Sequence, residues 1–442
     1  MTSALMTTSS SMMQVMVPLY AVSLGLGPQW LGFLIALPGI FPVLLALQAG
    51  RIVDRGGPGK WLLIGMIGMC LAPGVLIVAP GVVSLVASRV IVGAFVLFVS
   101  LSAQSLTAAV DNGRSHQANY GAYSTWLAGG RMVGPVLFGA ILDASGFDVV
   151  FVVIFCILAA GALLAYLLYR RIGSVRVDGS TDVVGSGKAF KSIVGNVGFQ
   201  MAVFASAGIF LALTVREAFL PVMLEQLGMS ATLIGTLVSI GSLTAVLIRL
   251  VMPQVVRLLG GTGRTLIITM AAVALGIGLL AVAESVTAFV ILAVVVGFGT
   301  GIGFPLSIVA VATHVPVRQR GMALGLRLSA SHLVETFVPA LAGLLVAATS
   351  FAVGFGAAGV ILGVLTVLSL KRLPRFEAME REMELEVVAR SAPNASAPAA
   401  SAPTQTEAPA ATEATAGAER EQVQDEKLKA PAEKPSAEDE TS

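Results

Sequence analysis

The amino-acid sequence predicts an all-α membrane protein with twelve transmembrane helices arranged as two six-helix parallel repeats. Of its 442 residues, 56% are apolar and 12% are charged, whereas soluble domains carry about 25% charge. Apolar segments of roughly 20 residues, the length that crosses a bilayer, follow one another as far as Lys371. The second half of the chain also repeats features of the first at a nearly constant offset.

Twelve segments are long enough to cross a bilayer as helices. Buried strands of a parallel sheet are the alternative, but the segments are too long and too rich in Leu, Ala and Gly. The first segment lacks a basic start and contains Pro18, so we expect a retained span rather than a cleaved signal peptide. The predicted spans are residues 3–25, 29–51, 60–80, 82–108, 119–142, 147–169, 198–222, 230–252, 264–283, 286–310, 320–346 and 350–371.

Basic side chains are confined to alternate loops. One set of loops holds Lys and Arg, such as Arg51 and Arg170, whereas the other set and its edges hold only acids, such as Asp143 and Glu225. Because basic loops stay on the cytoplasmic side, we expect both termini to be cytoplasmic. The protein should then be a multi-pass protein of the cytoplasmic (plasma) membrane.

An internal repeat divides the chain. Pro135 and Gly139 recur 204 residues later as Pro339 and Gly343. This register predicts a six-helix bundle over residues 1–171, a cytoplasmic linker over 172–197, a second bundle over 198–372, and a mostly disordered cytoplasmic tail over 373–442. Parallel repeats of this kind can rock against each other and expose a site between them to one side at a time.

The loop after the second predicted span resembles motif A of the major facilitator superfamily. The matching residues are Gly50, Asp54, Arg55 and Gly57, although Pro58 and Gly59 stand where basic residues are usual. The resemblance implies that Asp54 helps to latch the outward-facing state by binding a helix N-terminus. A solvated carboxylate in a turn remains the alternative.

The fifth predicted span resembles motif C, the antiporter motif of the drug:proton antiporter branch of that superfamily. Glycines in this segment can bring helices close together, and Pro135 removes a backbone hydrogen bond. The resemblance implies a bent helix that seals the two halves against each other; ordinary helix packing is the alternative. The motif residues are Gly121, Gly130, Gly134, Pro135 and Gly139.

Ionisable residues within the spans are the candidate sites for substrate and protons, because a charge at bilayer depth costs at least ~2.5 kcal/mol. Glu335 and His332 share a helix face, and Arg131 is the repeat equivalent of Glu335. We expect Glu335 to carry a proton with His332 as its relay. A static Arg131–Glu335 bridge between the halves is the alternative.

Four further intramembrane residues complete the candidate cavity. Glu217, with Arg216 beside it, is a second candidate coupling site, although an interfacial position is equally compatible with the sequence. Arg327 falls on the same helix as Glu335, and Arg89 precedes Gly93 in a loose match to motif B. The excess of arginines over acids favours an anionic substrate.

Other chemistry finds no support in the sequence. We expect no enzyme activity and no cofactor, because there is no phosphate-binding loop and no catalytic triad context. Three histidines and two cysteines do not suggest a metal site. The expected partners are a small-molecule substrate, protons and the lipid bilayer, with no nucleic acid, and the expected state is a monomer.

Three functions follow from these patterns. The motif C resemblance favours a proton-coupled antiporter that exports a small organic compound, a drug or a metabolite. The buried arginines favour proton-coupled uptake of an organic anion. A membrane sensor or scaffold that transports nothing, and that acts through its tail, is the third.

Overall fold

The structure is a computed structural model that describes residues 2–109, 116–172, 187–316 and 319–391. Its described residues are almost entirely helical. The helices of the first half are Thr2–Ser23 (span 1), Pro28–Ala36 with Ile40–Gly56 (span 2), Pro58–Val78 (span 3), Val82–Ala109 (span 4) and the run His116–Ile172 (spans 5 and 6). Those of the second half are Val197–Gln226 (span 7), Ala231–Leu250 (span 8), Thr262–Leu279 (span 9), Val286–His314 (span 10), Arg320–Ala348 (span 11) and Phe351–Leu370 (span 12).

Within the described ranges, ten helices are long and apolar enough to cross a membrane. One of these, the run His116–Ile172, is divided by Gly146, whose φ of 79° and ψ of −179° are not helical. Only glycine adopts such a conformation without strain, so Gly146 forms the turn between spans 5 and 6. Together with the more polar span 1, the helices are consistent with the twelve predicted spans.

Side-chain caps mark where several spans of the second half begin. The side chains of Asn196, Ser230, Ser285 and Ser350 each accept a hydrogen bond from a backbone N–H in the first turn of spans 7, 8, 10 and 12. These caps satisfy donors that have no partner inside the helix. The span boundaries therefore follow from local polar residues at the ends of apolar segments.

The helical bundle has two opposite faces, at which the spans begin and end. The terminal face is the one at which span 1 begins, at Thr2, and the far face is the one at which span 1 ends, at Ser23. One buried apolar cluster runs through both halves and includes Met12 and Phe138 of the first and Phe219 of the second. A separate cluster around Phe199 fills the terminal-face end of the second half. The core shared by the two halves is therefore the first of these clusters.

Three shorter helices accompany the second bundle. The helix Met252–Leu258 lies between spans 8 and 9, Gly187–Gly195 lies within the predicted linker, and Leu373–Ser391 begins the predicted tail. Phe376 of the last of these is fully buried beside His314, with ring centroids 4.2 Å apart, and Glu377 pairs with Arg264 at 2.8 Å. Residues 173–186 of the linker and 392–442 of the tail lie outside the described residues.

Candidate functional site between the halves

The two halves meet at a pair of equivalent helix crossings. Gly235 of span 8 lies directly against the carbonyl oxygen of Pro135 in span 5, and Gly32 of span 2 lies in the same way against that of Pro339 in span 11. A methyl group at either glycine would overlap the proline carbonyl. Small residues thus bring the backbones of the two halves into direct contact.

The glycines of the motif C segment divide between two partners. Gly139 packs on Ala231 at the start of span 8, whereas Gly130 and Gly134 pack on span 1 of their own half. Ser11 of span 1 donates a hydrogen bond to the Gly130 carbonyl at 3.0 Å. The contact between halves is therefore made by the end of the motif near Pro135, and its beginning stabilises the first bundle. The surroundings of Gly121 lie outside the described side chains.

Asp143 forms a polar link between the halves at the far face. One carboxylate oxygen accepts the backbone N–H of Ala231 at 3.0 Å, and the other accepts that of Thr232 at 2.7 Å. These donors belong to the first turn of span 8, where a carboxylate also interacts favourably with the helix dipole. Sequence reasoning placed Asp143 only among the acids of the outer edges. Its position one helical turn beyond Gly139 was the available signal.

Glu217 of span 7 is the residue on which intramembrane charges from both halves converge. The charges of Arg89 and Arg131 reach it from the first half, and those of Arg216 and Glu335 reach it from the second. The side chain is half-buried. Glu217 thus lies within electrostatic range of four other charged residues that the sequence also singled out.

Glu335 and His332 interact as neighbours on span 11. Nδ1 of His332 lies 3.1 Å from Oε2 of Glu335, and the two side chains are 30% and 40% exposed. The His332 ring also faces Phe210 of span 7. No ion pair between described residues joins Arg131 to Glu335. The partner of Glu335 in this conformation is therefore His332.

Arg131 is exposed and lies within electrostatic range of the second half. Its charge acts on Glu217 of span 7 and on Arg249 of span 8, both in the second half. A guanidinium in this position can interact with whatever enters between the halves, because it has no ion-pair partner among the described residues.

Two other arginines fill hydrogen-bonding gaps that prolines leave. Nε of Arg89 donates to the Leu34 carbonyl at 3.0 Å, and Nε of Arg249 donates to the Gly301 carbonyl at 3.0 Å. Each of these carbonyls precedes a proline by four residues, Pro38 and Pro305. Since proline has no N–H, neither carbonyl can receive its normal helical hydrogen bond. Both arginines therefore satisfy helix backbone at a kink.

Arg327 is buried in the second half. Its Nη1 donates to the hydroxyl of Ser307 at 3.0 Å, and its guanidinium carbon lies 5.4 Å from the centre of the Phe304 ring, a cation–π arrangement. These contacts join span 11 to span 10. Arg327 thus has partners of its own, distinct from the Glu335–His332 pair.

Arg216 differs from these arginines. It is 8% exposed and donates no hydrogen bond among the described residues, whereas each of the other three donates one.

The motif A residues can be described only in part. The segment is helical up to Gly56, and Gly57, with φ of 84°, ends span 2. The side chains of Asp54 and Arg55 and the surroundings of Gly50 lie outside the described part. The latch that the resemblance implies for Asp54 stays a prediction.

The described residues contain no group of three or more His, Cys, Asp or Glu side chains able to hold a metal ion. Cys70 is buried and Cys156 is exposed, and both are free thiols.

Sequence and structure comparisons agree on the class of protein. The family model of the Major Facilitator Superfamily matches residues 1–280 and 218–398. The chain therefore belongs to this superfamily, and it is a multi-pass membrane transporter rather than an enzyme.

One similar curated protein is a multi-drug resistance efflux pump PmrA homolog from Lactococcus lactis subsp. lactis (strain IL1403). It is 27% identical over 161 residues, which are 36% of this chain and 40% of that protein. The chain thus matches less than half the length of this relative.

Solved structures share the fold at low identity. A bacterial homolog of the human lysosomal transporter Spinster, in an inward-facing and unoccupied conformation, has a TM-score of 0.67 at 16% identity, over 86% of this chain and 95% of that one. A peptide transporter POT gives 0.71 at 13% identity, over 86% and 94%. The nucleoside transporter NupG gives 0.65 at 15% identity, over 86% and 97%.

Proposed function

We propose that this protein is a secondary active transporter that exports a small organic compound in exchange for protons. The observation that carries the proposal is the position of Glu217, a half-buried carboxylate inside a membrane span and within electrostatic range of charged residues of both halves. A carboxylate in such a place can bind and release a proton as its surroundings change. Glu335, with His332 beside it, is the second proton-binding candidate.

The closed far face supplies the second element of the mechanism. The crossings at Gly235 and Gly32 and the Asp143 cap all join the halves in the part of the bundle nearer the far face. Rocking of the two bundles would open these contacts and close others, so that the site near Glu217 faces one side at a time. We infer that the terminal face is cytoplasmic, because the basic loops lie there.

Two observations favour export over uptake. The motif C segment carries the Gly139 and Pro135 contacts between the halves, and the curated relative is an efflux pump. Uptake of an organic anion is the second candidate, because Arg89, Arg216 and Arg327 are all buried in the bundle.

Transport into inverted membrane vesicles tests the proposal. A panel of labelled amphipathic and anionic compounds is offered while an inside-acid proton gradient is imposed and then abolished with an uncoupler. Export predicts gradient-dependent accumulation of at least one compound in these vesicles, with loss in Glu217→Gln. Accumulation driven by an inside-alkaline gradient, and not by an inside-acid one, would support proton-coupled uptake. Accumulation that is indifferent to both gradients would contradict proton coupling.

A further inference from the structure

We propose that the second half holds a small monovalent anion at Arg216, in a pocket separate from the gap between the halves. The pocket lies toward the far face, among spans 7, 8, 9 and 10. Its walls are apolar, and the buried side chains among them include Leu220, Leu237, Leu280, Phe289, Leu292 and Val296. Such a pocket would ordinarily exclude charge, yet a guanidinium projects into it.

Arg216 lacks what the other buried arginines have. Arg89 and Arg249 donate to carbonyls that prolines leave free, and Arg327 donates to Ser307. Arg216 is 8% exposed and donates no hydrogen bond among the described residues, and its Nε is buried without an acceptor. The Nε of Arg327 also lacks an acceptor, but the Nη1 of Arg327 has one. A buried donor left without a partner costs about 1–3 kcal/mol, and more when it is charged.

The neighbouring carboxylate does not fill this role. The charge of Glu217 acts on Arg216, but the two side chains form no ion pair in the described structure. Adjacent residues of a helix point in directions about 100° apart. The carboxylate of Glu217 therefore acts on Arg216 from a distance, and no hydrogen-bond acceptor contacts the buried Nε of Arg216 among the described residues.

The chemistry of the pocket favours an anion over water. Arginine offers only donors, and the side chains around it offer neither donors nor acceptors. A water molecule would accept from Arg216, but the pocket's side chains offer its two hydrogens no acceptor, whereas an anion only accepts. The pocket has room for about one water molecule, which suits a halide and is too small for a carboxylate, phosphate or sulfate.

Gly241 maintains the space beside the guanidinium. A methyl group built on Gly241 would lie 2.9 Å from Nη1 of Arg216. That distance is below normal van der Waals contact, so Gly241→Ala should push the guanidinium aside while leaving its charge in place. This variant therefore tests whether anion binding depends on the position of the Arg216 guanidinium, because the positive charge itself is retained.

Thermal unfolding of the purified full-length protein in lipid nanodiscs tests the site. Ionic strength is kept constant while sodium gluconate, whose anion is too large for the pocket, is replaced by sodium chloride or by sodium acetate. We expect the unfolding midpoint of the wild type to rise saturably with chloride, by about 2 °C or more, because a ligand that binds only the folded state stabilises it. A rise with chloride and none with acetate, which is too large for the pocket, identifies a halide as the group that the site takes.

Three variants decide the assignment. Arg216→Gln and Gly241→Ala should lose the response, and Arg249→Gln should keep it, because Arg249 already has an acceptor. If Arg216→Gln does not fold, Gly241→Ala decides. A wild-type midpoint indifferent to chloride, or an undiminished response in Gly241→Ala, would overturn the proposal. Because this experiment measures binding and not transport, its failure leaves the export test unaffected.

Discussion

Gly235 and Pro135 are in direct contact across the two halves: the Cα of the glycine lies against the carbonyl oxygen of the proline. The repeat reproduces this relationship with Gly32 and Pro339. A glycine Cα–H so close to a carbonyl oxygen can make a weak hydrogen bond, as is common where helices cross. These two contacts join the halves at equivalent positions of the repeat.

The first prediction concerns this crossing. Gly235→Ala should weaken closure of the far face and reduce the transport rate about tenfold or more, because the added methyl overlaps the Pro135 carbonyl and small shifts in a packed interface are costly. Initial rates in vesicles, normalised to the amount of folded protein, measure the effect. Gly129→Ala is the matched control, since a methyl at Gly129 in span 5 meets no atom within 4 Å. Equal rates in both variants would contradict this account of the crossing.

The second prediction concerns the polar link at the far face. Asp143→Asn should shift the population toward conformations in which the far face is open, because the amide is a weaker acceptor for the N–H groups of Ala231 and Thr232 and carries no charge for the helix dipole. Electron spin resonance distances between labels on Ala144 and Gln226, which are exposed at the far ends of spans 5 and 7, report the opening. Asp148→Asn, at a nearby exposed acid, should leave the distribution unchanged.

The helix Leu373–Ser391 carries the third prediction. Phe376→Ala should lower the free energy of unfolding by about 3 kcal/mol, as expected for truncating a fully buried aromatic side chain. Thermal or denaturant unfolding of the purified protein measures the loss. Leu385→Ala, in the same helix but 69% exposed, is the control. A comparable loss at Leu385 would mean that the helix is stabilised by something other than burial of Phe376.

The fourth prediction concerns Arg327. Ser307→Ala should destabilise the protein by about 1–3 kcal/mol, because it removes the acceptor of Arg327 Nη1 and leaves a buried charged donor without a partner. Unfolding midpoints compare it with Thr313→Ala, whose hydroxyl bonds only to its own helix and to the neighbouring His314 ring. If the two variants are equally stable, the Arg327–Ser307 bond contributes little.

Much of the architecture could be predicted from the sequence. Apolar length and the repeat register predicted the spans, and glycine and proline spacing in span 5 predicted a helix contact. Which partner each glycine of that segment contacts could not be predicted. Gly130 and Gly139 are the same residue type in the same span, yet Gly130 packs on span 1 and Gly139 packs on span 8. Helical periodicity defines a face, but it does not identify the neighbour.

The candidate site shows the same limit. Intramembrane charges were found from their cost in the bilayer, but their pairing depended on which helices pack together. Arg131 and Glu335 are equivalent in the repeat, yet Glu335 contacts His332 on its own helix. The role of Arg89 could have been predicted from the sequence in part. Pro38 leaves the Leu34 carbonyl without its helical N–H donor, and a buried arginine can supply a donor in its place.

Proton movement in proteoliposomes tests the central claim most directly. Purified protein is reconstituted with a pH-sensitive dye inside, and a substrate identified in the vesicle screen is added outside. The wild type should move protons in response to substrate, and Glu217→Gln should abolish this movement while retaining substrate exchange between the two sides. Glu335→Gln should reduce the substrate-driven proton movement, because it removes the carboxylate beside His332. Undiminished proton movement in the double variant Glu217→Gln, Glu335→Gln would contradict proton coupling through these carboxylates.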